Sequence, residues 1–508
     1  MQIYTSLFSL SIILFFSLTL PLFISQHSSY RNKIFIFVVF LYCINILIIN
    51  YQFLHYQQFS ITLIEVFARY KISFHLEVLG IIFLDLLSVL WLISTIYSTK
   101  FLEIHSIKNI NIFVLFMNFC IVAGNIVALS ANLFTMFIGY ELLTLATIPL
   151  VAYQRGSKKL TKNVFNYLKI LQISSLGLFL PAVVIIYTEF GNGDFIKYGI
   201  FTAYNTTFSK NFSIILLLMF IFGISKTSIF PMHQWLPDAM VAIYPVSALL
   251  HAVVVVKTGL FCMYKILTYI FGLNYLQYLM EHYNYIILLP MIAVIHSSLQ
   301  ALKFNNIKMI LAYSTINQLN LGLLAIFILS DQSLFAAIIQ MISHAFIKIS
   351  LFYAMGLIYS VNSAYNVRDL LGISKIMPVT SAVILVSSLG LIGIPPFSGF
   401  FSKIYLIRAA IAQKQILAIM IVIISSIISS IYTLKILNML YRPISNKLTS
   451  LVKMKPNFCK LLSDGNDSFI IEKQLPISML LSIIFCVLVT VFFGFLSPMI
   501  KNFILNFY

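Results

Sequence analysis

Charge is what this sequence has least of. Only 9% of its 508 residues are charged, and just 14 are Asp or Glu. A soluble domain carries about a quarter charged residues and is about half apolar. This chain is 61% hydrophobic, with a mean hydropathy of +1.00. It cannot cover itself with polar surface in water, so the bilayer is its solvent. Cysteine is scarce too: Cys43, Cys120, Cys262, Cys459 and Cys486 include no CxxC pair, which argues against a disulfide framework, an iron–sulfur cluster or a zinc site. No GxGxxG or GxxxxGK(S/T) pattern occurs, so no nucleotide, flavin or other cofactor is expected. A net charge of +18 would suit nucleic acid, but the Lys and Arg residues stand mostly in short loops between apolar runs. That is the pattern of membrane orientation, and no nucleic-acid partner is expected. Residues 1–25 are apolar, without a cationic start or an A-x-A site, and read as a first span rather than a removed leader.

What is there is a series of long apolar runs. A hydrocarbon core of about 30 Å takes about 20 helical residues to cross. Such runs lie near 4–25, 33–55, 78–98, 111–130, 131–153, 163–187, 211–231 and 245–271. Others follow near 284–302, 309–329, 333–360, 379–407, 413–440 and 477–498. The expectation is an all-α, polytopic membrane protein of about fourteen transmembrane helices. Its loops are asymmetric. With the N-terminus outside, the loops after spans 1, 3, 5, 9, 11 and 13 hold eighteen Lys and Arg residues, among them Arg31, Lys100, Arg155, Lys162, Lys308, Arg368 and Arg442. The opposite loops hold six: Arg69, Lys71, Lys197, Lys210, Arg408 and Lys414. The positive-inside rule then places both termini outside and the stretch 442–474 in the cytoplasm.

Against this apolar background some charges stand where they are costly. Asp85, Glu141, Lys226, Lys257, Lys348, Lys403 and Lys435 fall well inside spans, with His251, His296 and His344. An ionisable side chain at membrane depth costs about 2.5–3.5 kcal/mol on insertion scales. Any one alone reads as a residue near a helix end that snorkels to the interface, and Lys435 and His296 suit that reading as well as a functional one. A whole series marks an ion pathway facing a bundle interior. Desolvation brings amines and carboxylates into the range where they exchange protons near neutrality, and an added or moved charge switches a neighbour's proton affinity. Glu141, Lys226, Lys257 and Lys403, linked by histidines and water, would form such a proton chain.

Two spans look broken. Lys226 precedes Ser228-Ile-Phe-Pro231, and Gly393-Ile-Pro395-Pro396 precedes Lys403. A proline inside a span frees a carbonyl, which then needs water, a side chain or an ion. Interrupted spans at matching places in two halves point to a transport site. Spans 7 and 12 match at a separation of five, so the chain divides into helices 1–3 (1–110), a first five-helix repeat (111–275), a second, inverted one (276–441), and a loop with a last helix (442–508). The plain alternative is that these prolines only kink packed helices.

Five segments carry a resemblance. They are Tyr140-Glu-Leu-Leu-Thr-Leu-Ala-Thr-Ile-Pro-Leu-Val151, Pro231-Met-His-Gln-Trp-Leu-Pro-Asp-Ala239, Pro245-Val-Ser-Ala-Leu-Leu-His-Ala-Val-Val-Val-Val-Lys-Thr-Gly259, His344-Ala-Phe-Ile-Lys-Ile-Ser-Leu-Phe352 and the stretch Gly393 to Lys403. Together they resemble the antiporter-like family shared by respiratory complex I and Mrp-type cation/proton antiporters, over residues 80–410. The third and fourth look most like the D-type subunit of the Mrp antiporters. The resemblance implies that Glu141 is the essential glutamate, Lys226 its partner, Lys257 a connecting lysine, and Lys403 the ionisable group of span 12. His251, His344 and Lys348 would connect the two half-channels, and Pro231, Pro245, Pro395 and Pro396 would mark helix breaks. It implies partners as well: other membrane subunits of an antiporter or a respiratory complex, with protons and Na⁺ or K⁺ as cargo. It places the chain in a bacterial plasma membrane or a mitochondrial inner membrane, without catalytic chemistry of its own. Ala242-Ile-Tyr-Pro245 departs from the family's Ala-Pro-Thr-Pro, and Ile148 stands where relatives carry Tyr, so local helix geometry is expected to differ there. A third class, a scaffold that only holds an assembly together, would leave the buried charges dispensable.

Overall fold

The computed structural model describes residues 2–25, 30–56, 60–67, 69–107, 109–153, 158–203, 208–281, 284–443, 472 and 474–505. It is almost wholly helical, as a bilayer demands of any spanning backbone that does not close into a barrel. Helices α1 (Gln2–Phe23) and α2 (Arg31–Tyr56) open the chain. Strands β1 (Ser60–Phe67) and β2 (Tyr70–His75) follow, then α3 (Val78–Ile104), α4 (Ile110–Ala128) and α5 (Leu133–Val151). Next are α6 (Lys158–Ser174), a π turn over Ser175–Phe179, α7 (Leu180–Phe190), the short α8 (Ile200–Ala203) and α9 (Lys210–Gly223). The eighth crossing is assembled from α11 (Tyr244–Ala248), a π turn at Leu249–Val253, and α12 (Val255–Lys265), preceded by the single turn α10 (Trp235–Asp238). After α13 (Leu273–Leu279) come α14 (Leu288–Lys303), α15 (Ile307–Phe327) and α16 (Asp331–Asn362). Last are α17 (Pro378–Ile392), α18 (Ser398–Ala412), α19 (Ile416–Tyr441) and α20 (Ile477–Leu505).

Polar residues set the helix starts. The Asn132 side chain accepts from Thr135 N at 2.8 Å, and Asn306 from Met309 N at 3.2 Å, each capping an otherwise orphaned donor. The cap at Asn132 is what separates α4 from α5 in a nearly uninterrupted apolar run.

Among the described residues, twelve helical stretches are long and apolar enough to cross a membrane. They coincide with twelve of the fourteen expected spans. The other two, near 211–231 and 379–407, are those expected to be broken, and there the helices are short: α9 has 14 residues, α17 and α18 have 15 each. The protein is thus an integral, multi-pass membrane protein. Beside the helices stands one short hairpin, in which β1 and β2 pair antiparallel, Ser60 opposite His75. The hairpin is sewn to the α4–α5 turn by His75 N→Leu129 O (2.7 Å) and Ala131 N→Ser73 O (3.0 Å).

Hydrogen bonds and ion pairs between loops gather at two ends of the bundle. The hairpin end joins Lys71 to Asp194 (2.8 Å) and Gln277 to Leu329 O (2.8 Å). The opposite end joins Arg31 to Glu103 (3.3 Å), Lys308 to Ala242 O (2.5 Å), and Ile307 N to Tyr365 O (2.9 Å). The cation-rich loops belong to this second end. Arg155 and most of 442–474 lie outside the described residues. The central 18-residue stretches of the crossing at 244–271, of α15 and of α16 are buried throughout, whereas α1, α2, α19 and α20 turn Phe15, Leu47, Ile427 and Phe492 outward, where lipid is their solvent.

Candidate functional site

The site begins at the break in the seventh crossing. Helix α9 stops at Gly223, a tight turn carries Ser225–Thr227, and Ser228 takes a left-handed conformation (φ 57°). Two glycines allow this geometry. A Cβ on Gly223 would lie 2.6 Å from Phe179 N, and one on Gly259 would lie 2.6 Å from both Lys226 C and Thr227 N. The freed carbonyls are satisfied by side chains: Trp235 Nε1 donates to Ser225 O (2.9 Å) and Asn320 Nδ2 to Ser228 O (3.2 Å). The turn delivers Lys226, fully buried, onto α5. Its Nζ donates to Tyr140 O (2.6 Å) and Thr144 Oγ1 (2.7 Å) and lies 3.2 Å from the centre of the Tyr140 ring. Glu141, the next residue, faces α6 instead. Gln172 Nε2 donates to its Oε2 at 3.0 Å, while Oε1 is buried without a hydrogen bond. Glu141 and Lys226 are therefore neighbours through Tyr140 and not a direct ion pair. The ion pairs among the described residues join Arg31, Lys71, Lys100, Lys210 and Lys265 to carboxylates, and none involves Lys226, Lys257, Lys348 or Lys403.

The next lysine lies in the buried centre of the eighth crossing, where every residue of α12 is buried. Lys257 Nζ donates to His251 O (3.2 Å), a carbonyl of the π turn, and meets His344 Nδ1 at 2.8 Å. An ammonium can only donate, so His344 Nδ1 accepts when Lys257 is charged; when Lys257 is a neutral amine, the same contact works with the proton on the imidazole. This pair is built to hold a proton on either side. His344 shares one stripe of α16 with Gln340 and Lys348, four residues to either side. Lys348 Nζ donates to Leu311 O (3.2 Å) and to the Ser314 hydroxyl of α15. Toward the other end, Gln340 Nε2 donates to Gln318 Oε1 (2.9 Å), and Ser402 Oγ donates to Gln340 Oε1 (2.6 Å).

Ser402 precedes Lys403, at the second break. Helix α17 ends where Gly393 turns left-handed (φ 90°), and the chain passes through Pro395 and Pro396 before α18. Lys403 Nζ donates to the carbonyls freed there, Ile392 O (2.6 Å) and Leu391 O (3.2 Å), and to Ser426 Oγ (3.0 Å). A cation at the negative end of a helix is favourably placed. All four lysines are thus held by carbonyls, hydroxyls or imidazole. Each can give up a proton without stranding a carboxylate partner.

Placement of the remaining expected residues is mixed. Pro231 follows the break, in the loop before α10. Pro245 stands in the first turn of α11, where its missing N–H costs nothing. It starts a crossing instead of breaking one; the irregularity of that crossing is the π turn carrying His251. Asp85 accepts from Asn50 of α2 (2.6 Å), apart from the lane, and Lys435 donates to Phe304 O (3.0 Å) past the end of α14. Sequence reasoning missed the neutral members: Gln172, Thr144, Gln318, Gln340 and Ser402. Their signal was uncharged amides and hydroxyls in mid-span, overlooked because only charges were sought. It also missed the buried pair Lys265–Glu77 (2.7 Å) near the hairpin end.

Residues 130–429, which include every member of this lane, match the family described as NADH:quinone oxidoreductase/Mrp antiporter, TM. The chain is 30% identical to the A subunit of the Na(+)/H(+) antiporter of Alkalihalophilus pseudofirmus, over 60% of this chain and 40% of that protein. It is 28% identical to the NADH-ubiquinone oxidoreductase chain 5 of Mus musculus, over 72% of this chain and 58% of that one. The chain spans about half the length of the curated relatives it matches. Its fold superposes on a chain of the Mrp complex from Dietzia sp. DQ12-45-1b with a TM-score of 0.79, covering 98% of this chain and 95% of that one, at 19% identity. That last likeness is one of fold.

Proposed function

Because the chain belongs to the NADH:quinone oxidoreductase/Mrp antiporter transmembrane family, we propose that it is the proton-conducting membrane subunit of a multi-subunit monovalent cation/proton antiporter in a bacterial inner membrane. The observation that carries this reading is the run of buried amino groups held only by neutral partners, above all Lys257 against His344 Nδ1 at 2.8 Å. Protons would pass from the Glu141–Lys226 region through Lys257, His344 and Lys348 toward Lys403, with Gln318, Gln340 and Ser402 bridging the last stretch. Breaks at Lys226 and Lys403, each with its freed carbonyls taken by side chains, support the division into two inverted repeats, 111–275 and 276–441. The segments around His251 and His344 favour the D-type position in such an assembly, although the relative from Alkalihalophilus is of the A type.

A second reading has its own support in the relative from mouse: a proton-pumping membrane subunit of a complex I-type NADH:quinone oxidoreductase. Purifying the full chain from its native membrane, with mass spectrometry of what comes with it, separates the two. We expect small membrane subunits and, after reconstitution, cation-dependent proton flux that the chain alone does not sustain. Flavin and iron–sulfur proteins in the preparation would transfer the chain to the second reading. Full exchange by the isolated chain would overturn its assignment to a multi-subunit assembly.

A further inference from the structure

The lane needs contact with water, and its centre at His251 and Lys257 lies in a π turn and helix whose residues are all buried. One interface leads out of it. Helix α3 packs against α11 and α16 and against the π turn that bears His251. Along it lies a file of hydroxyl groups. Tyr365, half exposed at the cation-rich end, meets Tyr359 OH to OH at 2.8 Å. Tyr359 in turn lies against Tyr244, ring centres 5.4 Å apart. Deeper in, Tyr97 stacks on Tyr353 at 3.7 Å and donates to its carbonyl at 2.8 Å. Gly356 leaves room for this stack, since a Cβ there would stand 2.5 Å from the Tyr97 hydroxyl and 3.1 Å from Tyr244 Cβ. Ser94 and Ser98, one turn apart on α3, face the Tyr353 hydroxyl. Beyond Tyr353, Phe352 lies 5.1 Å from the His251 ring.

The Tyr244 hydroxyl and both ring nitrogens of His251 are buried and make no hydrogen bond within the chain, and the buried hydroxyls of Tyr353, Ser94 and Ser98 have only one another to meet. A buried polar group left so costs about 1–3 kcal/mol. One such group is a local defect. Six polar atoms along a single three-helix seam, running from an exposed tyrosine to a lane histidine, form a set that bridging water satisfies, because each water brings two to four hydrogen bonds. The charged and titratable side chains at its outer end include Asp369, which accepts from Tyr365 N at 3.0 Å, His105, stacked on Tyr359 at 5.9 Å, and Lys308, 4.5 Å over the Tyr244 ring. None of them stands between Tyr353 and His251.

We propose that the α3–α11–α16 seam is a water-filled proton access route, from the cation-rich end of the bundle at Tyr365, past Tyr244, Tyr97 and the Ser94–Ser98–Tyr353 hydroxyls, to His251. It rests on the proton-conducting reading above and adds the entrance which that reading lacks. The test uses the assembled complex in membrane vesicles, with the native cysteines replaced and one cysteine introduced by Ser98→Cys. Methanethiosulfonate-ethylammonium, a small water-soluble thiol reagent, is expected to modify position 98 about tenfold faster than a Leu87→Cys control packed on the same helix, and the attached cation is expected to lower proton flux about tenfold. Failure to react, or reaction with flux unchanged, overturns the route. Should the cysteine variant not assemble, Ser94→Ala/Ser98→Ala removes two oxygens at nearly constant shape and is expected to lower flux about tenfold at normal abundance; unchanged flux again overturns the route. Wild-type and Glu141→Gln complexes are measured alongside. If they behave as the proton-conducting reading expects while the serine variants do not matter, only the access route falls.

Discussion

Lys226→Met is expected to abolish proton-coupled transport while the complex still assembles. Methionine fills nearly the same volume and keeps the contact with the Tyr140 ring, so the packing of the turn against Gly259 survives. What disappears is the amino group between Tyr140 O and Thr144 Oγ1, at 2.6 and 2.7 Å. The released acceptors are not stranded, since Thr144 Oγ1 already donates back to Tyr140 O at 3.3 Å. A proton carrier removed from a relay costs about a hundredfold or more in rate. Lys226→Arg is expected to fail as well: the guanidinium stays protonated and cannot cycle, and a fully buried site has no room for it. The check is flux normalised to the abundance of complex in the membrane, with Lys435→Ala as the comparison that keeps transport. Lys226→Met at full rate would mean that this lysine only pins the broken turn in place.

Lys257→Met should be nearly as severe. Lys257 is where the first half of the lane meets the second, through a single bond to His344 on α16. With the amine gone, His344 keeps a ring nitrogen facing an apolar side chain, and no neighbouring donor replaces it. Flux is expected to fall about a hundredfold, with binding of the other subunits unchanged by co-purification. His344→Gln is informative beside it. An amide can hold the lysine in place but cannot take its proton, so flux is expected to fall while abundance stays normal. If His344→Gln retains wild-type flux, the imidazole is a packing group and protons cross between the halves elsewhere.

The broken crossings were legible in the sequence for a physical reason. A lysine next to Ser-Ile-Phe-Pro, and another next to Gly-Ile-Pro-Pro, place a costly charge and a forced backbone interruption together, and only a site that needs both tolerates them. The lengths of the other helices followed from the thickness of the bilayer. The hairpin at 60–75 escaped notice because it is amphipathic at a period of two; Tyr70-Lys-Ile-Ser-Phe-His75 alternates apolar and polar, and a search for continuous apolar runs passes over it. Pro245 was misread because proline in the first turn of a helix and proline in its middle look alike without helix boundaries. Lys265, near the end of a crossing, carries no signal in the sequence that sets it apart. It is 1% exposed and paired with Glu77, from a loop some 190 residues earlier in the chain, which no local pattern can announce.

The neutral half of the lane was hidden differently. Gln318, Gln340 and Ser402 come from three helices, and each alone is an ordinary polar residue in a crossing. Their connection is visible only once α15, α16 and α18 bring Gln318 Oε1, Gln340 and Ser402 Oγ within hydrogen-bond distance in series. Geometry also redefined the Glu141–Lys226 relationship. The sequence placed the two together; the fold interposes Tyr140, so their coupling acts across a ring and a peptide unit, without direct contact.

Glu141→Gln in the reconstituted complex tests the whole account most directly. The substitution keeps the shape of the side chain and leaves an oxygen for Gln172 to donate to, but removes the charge and the proton site. Cation-driven proton flux into proteoliposomes is expected to fall about a hundredfold or more, with the complex present at wild-type abundance and with its full set of partners. A Glu141→Gln complex that assembles normally and carries protons at the wild-type rate would contradict the account, and would leave this chain as a scaffold whose buried charges only hold helices together.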